Sequence, residues 1–124
     1  MSAINLIKDR RLVMLQEGMA TEDDAVQSRI AVLLLSDTDP VIGNCGGLIT
    51  SYRQGKLRTA VSAQAVFTYA AAIVKVGLRR AGDTEISDIR LTDFSTESTT
   101  SILTVTLVLS GSGRTLSFNL QLQQ

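Results

Sequence analysis

The chain has 124 residues, 44% of them hydrophobic and 19% charged, with 12 Lys plus Arg against 12 Asp plus Glu and neither His nor Trp. That much apolar surface on a chain of this length favours one folded domain, residues 1–124, over disorder. Without His there is no Ser-His-Asp triad, no Cys-His dyad and no imidazole-bound zinc, which removes the commonest hydrolytic routes near neutral pH. Balanced charge and 4% aromatic residues supply neither a global field nor stacking platforms for nucleic acid.

A single Cys, Cys45, cannot close an intramolecular disulfide, which points to synthesis in a reducing cytoplasm. Residues 1–8 lack a basic segment followed by a long apolar stretch, so no signal peptide is expected. The apolar runs 30–35 and 69–74 are far shorter than the ~20 residues that span a bilayer, and no membrane partner is expected.

Residues 1–18 read as a hairpin arm, with Ile4, Leu6 and Ile7 before the charged turn 8–11, then residues 12–15, closed by Glu17-Gly18. The core follows over 19–124. Thr21-Glu22-Asp23-Asp24 is a helix start, because the Thr21 hydroxyl can accept an orphan backbone N–H and the three acids meet the positive helix end. Val26, Ile30, Leu33 and Leu34 then recur at helical spacing, which predicts a helix over 23–35, ended by Asp37-Thr38-Asp39-Pro40.

Residues 41–56, with Gly43, Gly46, Gly47 and Gly55, predict an ordered loop. A second helix is predicted over 59–79, rich in Ala at 60, 63, 65, 70, 71 and 72 and closed by Leu78-Arg79-Arg80 before Gly82. Its small side chains suit the core first, with a face for a partner helix as the alternative.

The period then changes from helical to alternating. Ile86, Ile89, Leu91 and Phe94 mark a first strand, 95–101 a polar loop rich in Ser and Thr, and 102–109 a second strand. Ser110-Gly111-Ser112-Gly113 turns the chain into a third strand over 114–122, where Leu116, Phe118, Leu120 and Leu122 share one face and Thr115, Ser117, Asn119 and Gln121 the other. The expected fold is α+β: a small antiparallel sheet of about three strands with two helices on one face, plus the N-terminal β-hairpin.

Candidate chemistry is sparse. Cys45 sits in Gly43-Asn44-Cys45-Gly46-Gly47, but a reactive thiol needs a base or a strongly positive neighbourhood, so a small inert core residue is the better reading. The same loop lacks the Gly-Lys-Ser/Thr ending of a phosphate-binding loop. Asp83, Glu85 and Asp88 cluster after the second helix, and Glu22, Asp23 and Asp24 before the first; a turn or interface ion pair and a helix cap account for them without acid–base catalysis. Arg79, Arg80, Arg90 and Arg114 suit helix-dipole complementarity and rim ion pairs better than a basic patch.

The neutral face Thr115, Ser117, Asn119 and Gln121 is the most informative feature. In a sheet this small each strand lies near an edge, and a strand without Lys or Pro is open to pairing with another chain. That favours a subunit that works by strand addition.

The order of these elements resembles the Mu-type phage tail baseplate proteins. The resemblance rests on the short hairpin ending near Gly18, the helix Asp24-Ala25-Val26-Gln27-Ser28-Arg29-Ile30, a Gly-containing loop and a second helix ending near Arg80. It continues through Ile86-Ser87-Asp88-Ile89-Arg90-Leu91, a polar gap, Leu103-Thr104-Val105-Thr106-Leu107 and Gly113-Arg114-Thr115-Leu116. That group is similar to the small baseplate wedge subunit, or sheath initiator, of contractile tails. The resemblance implies a non-enzymatic structural protein of the virion tail baseplate, made in the host cytoplasm, without cofactor or metal. Its partners would be baseplate wedge proteins and tail sheath subunits, in several copies. Thr115, Ser117, Asn119 and Gln121 would then face sheath strands, and Arg79, Arg80, Asp83 and Glu85 neighbouring wedge proteins. The alternatives are a small lysozyme-like hydrolase, using Cys45 or the acids near Asp83, and a free adaptor that binds through the same hairpin.

Overall fold

The computed structural model describes residues 5–8, 11–14, 22–97 and 100–123. Strands β1 (Asn5–Lys8) and β2 (Arg11–Met14) form the expected N-terminal hairpin, with Leu6 opposite Val13 and Ile7 opposite Leu12. β1 lies near helix α1 (Glu22–Leu35) and the last strand of the chain, so the arm leans on the core. Its closure at Glu17-Gly18 and the cap at Thr21 fall outside the described residues.

Helix α1 buries Val26, Ile30, Ala31, Leu33, Leu34 and Leu35 and leaves Arg29 exposed, as the spacing requires. The Gly-rich stretch after it has more structure than a loop. Asp39 Oδ2 accepts the N–H groups of Val41 (2.8 Å) and Ile42 (3.0 Å), which turns the chain at Pro40. Two-residue strands β3 (Thr38–Asp39) and β4 (Gly43–Asn44) then pair, and a short helix α2 (Leu48–Arg53) follows.

The glycines between them close off α1. Gly46 N–H donates to Leu33 O (3.0 Å) and Gly47 N–H to Ser36 O (2.8 Å), pairing carbonyls that a helix end leaves open. A Cβ on Gly46 would stand 2.5 Å from Leu34 O, so only glycine approaches the helix this closely. The expected loop at 41–56 is therefore corrected to a miniature hairpin, a helix cap and a third helix. Elements this short carry too little periodicity to be seen in sequence.

Helix α3 (Ala60–Arg80) begins at Thr59, whose side chain accepts the Ser62 N–H at 3.1 Å. It ends where Asp83 N–H donates to Leu78 O (2.9 Å) and Gly82 N–H to Arg79 O (3.1 Å), with Gly82 at φ +85°.

The main sheet is three-stranded and antiparallel, in the order β5 (Ile86–Glu97), β6 (Thr100–Leu109), β7 (Thr115–Gln123). The polar loop expected at 95–101 is a second correction. Ser95, Thr96 and Glu97 pair with Ile102, Ser101 and Thr100, so β5 extends to Glu97 and β6 begins at Thr100. Thr and Ser serve strands as readily as turns when cross-strand hydroxyls can bond, and here Thr96 and Ser101 do so at 2.9 Å. Leu103, Val105, Leu107, Leu116, Leu120 and Leu122 join Ile89 and Leu91 on the face that meets the helices, forming one core with Phe67, Ala70 and Val74 of α3 and Ile30 and Leu34 of α1. The α+β class stands, with three helices rather than two among the described residues.

Candidate partner interface

The two edges of the sheet differ in character. β5 carries register irregularities between Ile86 and Asp88 and between Thr92 and Ser95, and Asp93 sits at φ +54° in the second. That bulge turns Phe94 back to the core, where its ring meets Phe67 edge-on at 5.2 Å. Charges flank the same edge: Asp88 Oδ1 takes a 3.0 Å bond from Lys75 Nζ, and Asp88 Oδ2 one from Arg90 Nε at 3.0 Å. The Lys75 bond does most to hold the Asp88 carboxyl below the ordinary range; burial opposes it, while Arg90 and the Ile89 amide add to it. Bulges and charges are what keeps an edge from pairing further.

β7 has none of these devices. Its register against β6 runs without a break from Thr115 opposite Val108 to Gln123 opposite Thr100. Leu109 N–H donates to Arg114 O at 2.8 Å, and Ser110 N–H donates to Glu85 O at 2.8 Å, which sets the phase of the ladder. Successive residues of a strand turn their N–H and C=O to opposite sides. Leu116, Phe118, Leu120 and Leu122 therefore bond to β6, while Thr115, Ser117, Asn119 and Gln121 direct theirs outward from the sheet. Among the described residues no strand pairs with that outer side. The same four side chains lie on the sheet face away from the helices, Thr115, Ser117 and Asn119 exposed and Gln121 half-buried. Thr106 and Ser117 (3.1 Å) and Thr104 and Asn119 (3.3 Å) bond across this face and order it.

The second predicted set lies at the other edge. Arg79 and Arg80 are exposed in the last turn of α3, and neither makes an ion pair among the described residues. Asp83 is committed internally: it pairs with Arg29 of α1, and its Oδ1 accepts the Glu85 N–H at 3.1 Å. Burial works against its ionisation, but the Glu85 amide and the Arg29 guanidinium together hold its carboxyl below the ordinary range. Glu85 is exposed. Since these residues lead into β5, the structure does not bring them together with the β7 set.

Arg114 is also occupied, forking onto both carboxylate oxygens of Asp23 at 3.0 and 2.9 Å and tying the β6–β7 turn to the start of α1. With Arg90 on Asp88, two of the four cations in the conceivable basic patch are ion-paired at the rim. Cys45 is 4% exposed, and burial, then the nearby Asp39 charge, pushes its thiol up. A thiol held protonated is a poor nucleophile.

Sequence reasoning left one surface undecided. α3 uses both of its faces: Ala63, Phe67, Ala70, Ala71, Val74, Gly77 and Leu78 are buried, while Val61, Ala65, Tyr69, Ala72 and Val76 form an exposed stripe on the opposite side. Val61 is 83% exposed, Tyr69 57% and Val76 48%. At 21 residues and mean hydropathy 1.5, α3 is long and apolar enough to cross a bilayer, although its inner face is built into the core of this domain. The signal was available in the sequence as apolar residues recurring at 61, 65, 69, 72 and 76, on a second side of the helix beside the polar Gln64, Thr68 and Lys75.

No family model matches this chain, and no curated protein and no solved structure is significantly similar to it.

Proposed function

We propose that this chain is a structural subunit of a phage or phage-like contractile-tail baseplate, a sheath initiator that accepts a strand from the first sheath ring along β7. The observation that carries the reading is the unbroken nine-residue β7, whose outward N–H and C=O groups at Thr115, Ser117, Asn119 and Gln121 are left unpaired by any described strand. An added strand gains affinity from main-chain hydrogen bonds and register from the polar face beside them. The irregular, charged β5 at the opposite edge directs such pairing to one side only. The exposed apolar side chains Val61, Tyr69 and Val76 on the outer side of α3 support the same reading, because apolar groups gathered on one surface mark an interaction site. The role is architectural: Cys45, buried and held protonated, and the paired carboxylates of Asp83 and Asp88 serve the fold.

The test is Asn119→Pro, which removes an outward N–H without taking one from the β6–β7 ladder. The folded variant is expected to be absent from purified tail particles, whereas the wild-type chain is retained at fixed stoichiometry. Normal incorporation of the variant overturns strand addition at β7. A wild-type chain that never enters particles overturns the baseplate role in favour of a free adaptor.

A further inference from the structure

The zero net charge conceals a strong asymmetry. Residues 40–82 hold six cations, Arg53, Lys56, Arg58, Lys75, Arg79 and Arg80, and no acid at all. Two of them converge on one pocket. Between the end of α2 and the start of α3, Arg53, Gly55 and Arg58 face the far end of the β5–β6 hairpin across a pocket of about 480 Å³, closed by Tyr52, Thr96 and Ser101. Neither Arg53 nor Arg58 makes an ion pair among the described residues, and none of the described residues that line the pocket is a carboxylate.

The walls are held in place. Ser101 is fully buried; its hydroxyl donates to the Tyr52 hydroxyl at 3.0 Å and bonds to Thr96 Oγ1 at 2.9 Å, which fixes the phenol against the hairpin. Gly55, at φ +74°, lies under the Arg58 side chain so closely that a Cβ there would stand 2.9 Å from Nε and 3.0 Å from Cζ. That close approach lays the Arg58 guanidinium along the pocket wall, and a planar guanidinium can pair two oxygens at once. Arg53 and Arg58 put two positive charges on one pocket that also holds the Tyr52, Thr96 and Ser101 hydroxyls, and an anion bound there relieves their mutual repulsion.

From this convergence we infer that the pocket bounded by Arg53 and Arg58 is an oxyanion site, taking a carboxylate or a phosphate group. It is separate from the β7 edge, and its test does not depend on assembly.

The experiment is a ¹H–¹⁵N titration of the full chain with sodium phosphate and, separately, sodium acetate, at constant ionic strength in chloride. The expected result is saturable shifts of the Arg53 and Arg58 Nε–H signals and of the Gly55 amide with at least one anion. R53Q and R58Q are each expected to weaken the response at least tenfold, with R79Q unchanged as a cation outside the pocket. Saturation by phosphate alone assigns the site to a tetrahedral dianion, and saturation by acetate assigns it to a carboxylate. Failure of both anions to saturate the wild-type signals overturns the inference. So does an undiminished Gly55 shift in the R53Q/R58Q double variant, whose unchanged urea midpoint would show that its fold is intact.

Discussion

Replacing Gly46 by Ala tests whether the Gly-rich stretch is a built helix cap or merely permissive loop. The added methyl would lie 2.5 Å from Leu34 O, 2.9 Å from Leu34 Cα and 3.1 Å from Ala70 Cβ, and two of those atoms belong to helix backbone that cannot swing aside. Relief requires moving the segment away from α1 by about 1 Å, the shortfall of the closest contact from ordinary separation near 3.5 Å. That displacement stretches the bonds Gly46 N–H to Leu33 O and Gly47 N–H to Ser36 O, now 3.0 and 2.8 Å. Overpacking of this kind costs about 1–3 kcal/mol, and each weakened buried hydrogen bond about 1 kcal/mol. The expected loss is about 3 kcal/mol, read as a fall of about 2 M in the urea midpoint at unchanged slope. Gly43→Ala is the control: nothing lies within 4 Å of its Cβ position, so only the strain of φ +85° remains, about 1–2 kcal/mol. A Gly46→Ala loss no greater than that of Gly43→Ala would refute the cap.

Three further outcomes follow from the same geometry. Because Asp88 titrates lower in the folded chain than its ordinary 3.8, its ion pairs add stability that is present above that value and lost as pH falls through the folded value. Asp88→Asn should therefore lower stability near neutral pH by about 0.5 kcal/mol and flatten the acid limb of a pH–stability curve. On α3, the Val61→Glu/Val76→Glu pair should leave the unfolding free energy within about 0.5 kcal/mol of wild type and abolish entry into particles, whereas Val74→Glu, at a fully buried site, should prevent folding. Cys45 should react with a thiol reagent on the order of 100-fold more slowly in the folded chain than in urea, and comparable rates would contradict its burial.

The parts of the fold legible in the sequence were those with a sustained period. The stripe Val26, Ile30, Leu33, Leu34 and the alternation from Leu116 to Leu122 each repeat often enough to identify the element and its buried face. β3, β4 and α2 span two to six residues each and are stabilised by what they touch, Asp39 side-chain bonds and the α1 carbonyls, rather than by pattern. The hairpin between β5 and β6 was hidden by its Ser and Thr content, which suits turns and strands alike. The four β7 residues could be selected because side-chain alternation and N–H alternation share a period of two. Their exposure on an edge, the charges guarding β5 and the outer stripe of α3 depend on strand order and packing between distant segments. Arg53 and Arg58 were hidden by a summed charge that cancels only over the whole chain.

The most direct test of the central claim is a cryo-electron microscopy map of the tail particle at a resolution that traces main chain. The account predicts a strand of a sheath subunit running beside β7, bonded to the outward N–H and C=O groups of Thr115, Ser117, Asn119 and Gln121, with β5 left unpaired on its outer side. A map in which this chain occupies the baseplate with β7 facing solvent, or with a foreign strand paired to β5 instead, would contradict it.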